Sequence, residues 1–131
     1  MSTSPRLSDA EWEVMNVIWK KPSPIMANDV VMALASHKTW NPRTIKTFLG
    51  RLIKKGVLQY TTEGNRYLYS PAVQREECVR EESRSFVERV LGDEPTPALV
   101  QLVKTANLTP IEVEELKKAL DEKGAGDAPT P

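Results

Sequence analysis

Between Asn41 and Pro71 the apolar period of the chain switches once, at Gly56, from helical to alternating, and that switch constrains the fold more than any other feature. In WNPRTIKTFLGRLIKKG, Ile45, Leu49, Leu52 and Ile53 fall at i, i+4, i+7 and i+8, the buried stripe of an amphipathic helix. Asn41 is a good N-cap, Pro42 suits the first helical position, and Gly56 suits the residue just past the end. Beyond Gly56, VLQYT and RYLYS read as two short strands rich in Val, Tyr and Thr, joined through a Gly-Asn turn in TEGN.

Two further helices precede this unit. In LSDAEWEVMNVIW, Ser8 as N-cap and Glu11 three residues on make a capping box, with Leu7 and Trp12 at the hydrophobic-staple positions. Trp12, Met15, Ile18 and Trp19 recur at helical spacing and are read as core rather than as a ligand cage. Lys20 to Pro24 breaks this helix; Ala27, Val30, Val31 and Leu34 define a shorter second one whose start is poorly signalled. His37, the single histidine, is read as a helix-end or surface residue, because it lacks partners for a metal site. Three helices and a hairpin in this order predict a mainly α fold with a small β-hairpin, a winged helix-turn-helix domain over residues 1–71. Such a domain presents its third helix to the major groove and its hairpin, the wing, to the flanking backbone.

From Ala72 to Leu91 a highly charged helix is expected, with its apolar positions, Val79, Phe86, Val87, Val90 and Leu91, late in the run. After the break GDEPTP, Leu99, Val100, Leu102 and Val103 mark a short helix. Thr109 and Glu112 make a second capping box, from which Val113, Leu116 and Leu120 continue a stripe to Lys123. Helices this few and short cannot bury their apolar faces alone. Residues 72–123 are therefore expected to form a homodimer through Val79, Phe86, Val90, Leu99, Leu102, Val103, Leu116 and Leu120. The tail over 124–131, GAGDAPTP, is expected to be disordered.

Eighteen basic and eighteen acidic residues cancel formally. The average hides an asymmetry: residues 1–70 carry ten Lys/Arg against five Asp/Glu, and residues 71–131 carry eight against thirteen. From Lys38 to Arg66 there are seven basic residues and one acid, Glu63. On the third helix, Arg43, Lys46, Thr47, Gly50, Arg51 and Lys54 form the stripe opposite the apolar one, and no acid at i±4 relieves its charge. A basic stripe is often only a solvated face, but this one has a small, polar centre, Thr47 and Gly50, and occupies the slot the fold presents to DNA. Arg43, Lys46, Lys54, Lys55 and Arg66 are read as phosphate contacts, with Asn65 beside Arg66 at the wing tip. Thr47 and Arg51 are read as base-edge contacts, Arg being suited to guanine and a Thr methyl to thymine. Five phosphate contacts per protomer imply a log–log salt slope of about −9 for a dimer. A winged-helix module that binds an acidic protein through the same face is the alternative from another class.

Catalysis has little support, since Ser83, Ser85 and Cys78 have no base at a recognisable spacing and no Gly-rich phosphate loop appears. One cysteine allows no intrachain disulfide and no cysteine-based zinc site, so no metal and no cofactor are expected. No run is apolar enough to cross a bilayer, and MSTSPRLS lacks secretion signals, so no membrane insertion and a cytoplasmic location are expected.

AEWEVMNVIW followed by WNPRTIKTFLGRLIKKG, a short wing, a charged helix and LTPIEVEELKKAL closely resembles the penicillinase-repressor (BlaI/MecI) family of bacterial transcriptional repressors, whose wider group includes CopY-type copper-responsive repressors. The similarity runs from about Leu7 to Leu120. It implies a dimeric repressor on near-palindromic double-stranded operator DNA, with Thr44, Thr47 and Arg51 in the helix that enters the groove. In antibiotic-responsive members a membrane sensor triggers proteolysis at an Asn-Phe bond; the best matching position here is Gln101-Leu102. Copper-responsive members end in a cysteine-rich metal site, which this chain lacks.

Overall fold

The computed structural model describes residues 6–35 and 39–126. The first helix, α1 (Asp9–Lys20), opens on the expected capping box: the Ser8 N–H donates to Glu11 Oε1 at 2.8 Å and the Glu11 N–H donates to Ser8 Oγ at 3.2 Å. Val14, Met15 and Ile18 are fully buried, while Trp12 and Trp19 pack against the core from its edge, 5.8 Å apart. Helix α2 (Ala27–Leu34) starts on a signal that was hard to read, because Met26 is a poor N-cap. Its one cue is Asp29, whose carboxylate accepts the Met26 N–H at 3.0 Å.

Helix α3 (Pro42–Lys54) follows the expected boundaries. Asn41 Oδ1 accepts the Thr44 N–H at 2.9 Å, and Gly56 adopts a φ of 80° just past the C-terminus, where a side chain would be strained. Ile45, Leu49 and Leu52 are buried against α1 and α2, with Ile53 half-buried beside them. The wing is an antiparallel hairpin, β1 (Leu58–Glu63) paired with β2 (Arg66–Pro71). Its register runs from Leu58 opposite Pro71 to Glu63 opposite Arg66, and Gly64, at φ 65°, makes the turn. A contact not expected from the sequence ties the wing down: Ile25 and Tyr69 exchange both backbone hydrogen bonds, at 2.8 and 2.9 Å.

Helix α4 (Arg75–Phe86) begins three residues later than expected and passes into a π-helical turn, Val87–Leu91. The chain divides into two compact units between Glu88 and Arg89, well beyond the expected boundary at 71/72. The first part of α4 belongs with the winged helix because Cys78 is buried in its core, Val73 packs against that core, and Trp19 Nε1 donates to the Val73 carbonyl at 3.1 Å.

The second unit holds α5 (Pro95–Thr105) and α6 (Pro110–Gly126). The second capping box is present, with the Thr109 N–H donating to Glu112 Oε1 at 2.9 Å and the Glu112 N–H to Thr109 Oγ1 at 3.2 Å. Helix α6 continues through residues 124–126, three residues into the segment expected to be disordered; the rest of that segment, like His37, lies outside the described residues. Helix α5 buries no residue. Leu99, Val100, Leu102, Val103, Leu116 and Leu120 are all exposed. Among the described residues no helix is long and apolar enough to cross a membrane.

Candidate nucleic-acid interface

An amphipathic helix packed on one side offers the other to solvent, and α3 does this residue by residue. With Ile45, Leu49 and Leu52 turned inward, Arg43, Lys46, Thr47, Gly50, Arg51 and Lys54 are all exposed, and Thr44 is half-buried at the edge of the stripe. Among the described residues no carboxylate pairs with Arg43, Lys46, Arg51 or Lys54, so four positive charges stand on one face without internal neutralisation. Gly50, at the centre, is open: a Cβ built there meets nothing within 4 Å.

Two side chains on this face are constrained. Thr47 Oγ1 donates to the Arg43 carbonyl one turn back at 3.1 Å, which occupies its proton. The Arg51 guanidinium carbon lies 5.9 Å from the centroid of the Phe48 ring, over its face, and Phe48 meets Trp40 edge-on at 5.1 Å and 66°. Sequence reasoning passed over Phe48; its i, i+3 spacing from Arg51 was the available signal.

The wing stands beside this stripe. Helices α2 and α3 and the hairpin enclose an open groove of about 780 Å³, lined in part by Val31, Lys46, Gly50, Tyr60, Arg66 and Tyr67. Tyr60 and Tyr67, read in the sequence only as strand formers, sit diagonally across the hairpin, where Tyr60 pairs with Tyr69; their rings lie 5.0 Å apart, tilted by 36°, and both are exposed. Tyr69 is the buried member of the trio; burial first, then Tyr67 and Tyr60, push its hydroxyl above the ordinary value, so it stays neutral. Asn65 and Arg66 are exposed at the hairpin turn, and Arg66 shares a loose 3.5 Å ion pair with Glu63, both largely solvated.

Lys55 does not stand with the other basic residues. Its ammonium hydrogen-bonds Glu11 Oε1 and donates to the Arg6 carbonyl at 2.9 Å, inside the first unit. The side chain expected to contact phosphate thus joins the end of α3 to the start of α1, where Glu11 is buried. The expected dimer contacts Val79, Val90, Leu99, Leu102, Val103, Leu116 and Leu120 are exposed, with Phe86 half-buried; Gln101 and Leu102 both lie in the interior of α5.

A three-helix core that holds out an acid-free basic helix beside a hairpin defines a winged-helix DNA-binding protein. The sequence matches the penicillinase repressor family over residues 7–122. It is 38% identical over 122 residues to the penicillinase repressor of Bacillus licheniformis, covering 93% of this chain and 94% of that one. It is 32% identical over 117 residues to the methicillin resistance regulatory protein MecI of Staphylococcus aureus (strain N315), covering 89% of this chain and 94% of that one. Among solved structures, the Bacillus licheniformis BlaI monomeric form in complex with the blaP half-operator superposes with a TM-score of 0.51 at 47% identity, over 59% of this chain and 93% of that one. The DNA-binding domain of the repressor BlaI gives 0.52 at the same identity and coverage. The chain belongs to the penicillinase repressor family, and it is a DNA-binding transcriptional repressor rather than an enzyme.

Proposed function

We propose that this repressor acts as a homodimer on a near-palindromic operator, each protomer laying α3 in a major groove and its wing along the flanking backbone. The observation that carries the reading is the exposed stripe Arg43, Lys46, Thr47, Gly50, Arg51 and Lys54, whose basic groups meet no carboxylate among the described residues, opposite the buried Ile45, Leu49 and Leu52. Arg43, Lys46, Lys54 and Arg66 neutralise phosphates and set the register, with Asn65 hydrogen-bonding at the wing tip. Arg51 reads a guanine edge and the Thr47 methyl a thymine, with Thr44 flanking them and Gly50 letting the helix approach closely. Lys55 leaves the phosphate set, because moving its ammonium to DNA would strand the buried Glu11 carboxylate.

The exposed leucines and valines of α5 and α6 support a dimer built from the C-terminal helices, since a second copy would cover them. The B. licheniformis BlaI complex is described with a half-operator, which supports two half-sites for the dimer here. Any event that separates these helices would release the operator. Cleavage at Gln101-Leu102 by a protease answering a membrane sensor is one such event, and it requires α5 to unwind locally, because both residues are helical. Action on promoter DNA supports the cytoplasmic location expected from the sequence.

A mobility-shift titration on the intergenic region beside the chain's own gene, with excess competitor DNA present, tests the reading. A discrete complex that survives the competitor is expected. Loss of every shift, together with capture of an acidic protein by the same face, would favour the protein-interaction alternative.

A further inference from the structure

We propose that Phe48, braced by Trp40, is a positioning residue that fixes the Arg51 guanidinium for base recognition. The proposal rests on the reading of Arg51 as a base-edge contact. Phe48 stands one turn before Arg51, where the two side chains share a face, and the guanidinium lies over the ring at 5.9 Å. The ring is held in turn: Trp40 meets it edge-on at 5.1 Å, and both aromatic residues are half-buried and pack against the core. Arg51 itself is exposed, and among the described residues no carboxylate holds it. Without the ring, a long unpaired side chain would sample many rotamers and lose that freedom on binding. Contact through the ring face uses none of the five guanidinium N–H donors, so the fork remains available for guanine O6 and N7. Among the described residues no aromatic ring serves Arg43, Lys46 or Lys54 in this way. A phosphate contact tolerates a mobile cation, whereas a bidentate base contact needs a fixed one. The platform therefore sits under the one basic residue of the stripe that must be aimed.

The test compares binding of the full chain to the duplex protected in footprinting with binding to a scrambled duplex of equal length. The readout is the ratio of the two affinities, and thermal midpoints confirm that each variant folds. Arg51→Ala should lower the ratio by about 10- to 100-fold. Phe48→Leu, which keeps an apolar side chain but removes the ring face, should lower it by about three- to fivefold, and Phe48→Tyr should keep the original ratio. In the Arg51→Ala background Phe48→Leu should change nothing more. Phe48→Met gives the same comparison if Phe48→Leu fails to fold. A ratio unmoved by Phe48→Leu while Arg51→Ala lowers it overturns the platform and leaves the base-reading role standing. A Phe48→Leu loss that persists in the Arg51→Ala background also overturns it, because Phe48 then acts through packing alone. An Arg51→Ala ratio equal to the original overturns the base-reading role and the proposal with it.

Discussion

The Lys55 ammonium is bonded to the Glu11 carboxylate across 44 residues of sequence, clamping the end of α3 to the first turn of α1. Glu11 is only 1% exposed and Lys55 about a third exposed at its side chain, so the acid depends on the base more than the reverse. Lys55→Met should therefore leave a buried carboxylate with Ser8 as its remaining support and destabilise the domain by about 1–3 kcal/mol. Urea unfolding measures this loss. Adding Glu11→Gln should recover part of it, since a neutral amide is easier to bury; a single variant as stable as the parent would contradict the clamp.

The same pair sets a pH dependence. Burial alone drives the Glu11 carboxyl up, but the Lys55 hydrogen bond, the Ser8 backbone hydrogen bond, the Lys55 charge and the Ser8 side chain together hold it below its ordinary 4.5. A depressed folded pKa means that the unfolded chain binds the proton more readily, so this contribution is complete above 4.5 and is lost as pH falls toward the folded value. Urea midpoints followed from about pH 7 to about pH 3 should fall less steeply in Glu11→Gln than in the parent. Parallel curves would show that Glu11 titrates alike in both states.

Gly50 separates stability from recognition. A Cβ at this position meets nothing within 4 Å, and glycine inside a helix is unfavourable relative to alanine. Gly50→Ala should raise stability by about 0.5–1 kcal/mol, yet weaken operator binding by crowding the DNA surface. Calorimetry and operator titration on the same protein report both effects. A more stable variant with unchanged affinity would move the close approach away from Gly50.

The elements that local patterns encode were legible in advance. Asn41, Pro42 and Gly56 delimit α3, the Ser8–Glu11 and Thr109–Glu112 boxes open α1 and α6, and Gly64 turns the wing, because each signal acts within a few residues. What escaped depends on contacts between distant segments. Nothing near Lys55 announces that its partner is Glu11, nothing near Ile25 announces its bridge to Tyr69, and the charge of α4 conceals that Cys78 is buried in the core. The boundary read at 71/72, where Pro71 ends the hairpin, therefore differs from the end of the first compact unit at Glu88. The outward stripe of α3 was readable, but the bond between Lys55 and Glu11 and the aromatic ring beside Arg51 were not.

The C-terminal helices should be needed for affinity and not for folding of the winged helix. A chain ending at Gly92 retains the whole first compact unit and loses α5 and α6. It should remain folded, run as a monomer in sedimentation, and bind the full operator more weakly than the intact chain, since linking two sites raises apparent affinity. A truncated chain that stays dimeric would place the interface within the first unit.

The salt dependence of operator affinity tests the central claim most directly. Four phosphate contacts per protomer, Arg43, Lys46, Lys54 and Arg66, give eight for a dimer and a log–log slope of about −7, shallower than the −9 expected with Lys55 included. Lys54→Ala should flatten the slope by about two, one contact from each protomer, while Lys55→Met should leave it unchanged. A slope near zero for the intact protein would contradict DNA recognition by this face.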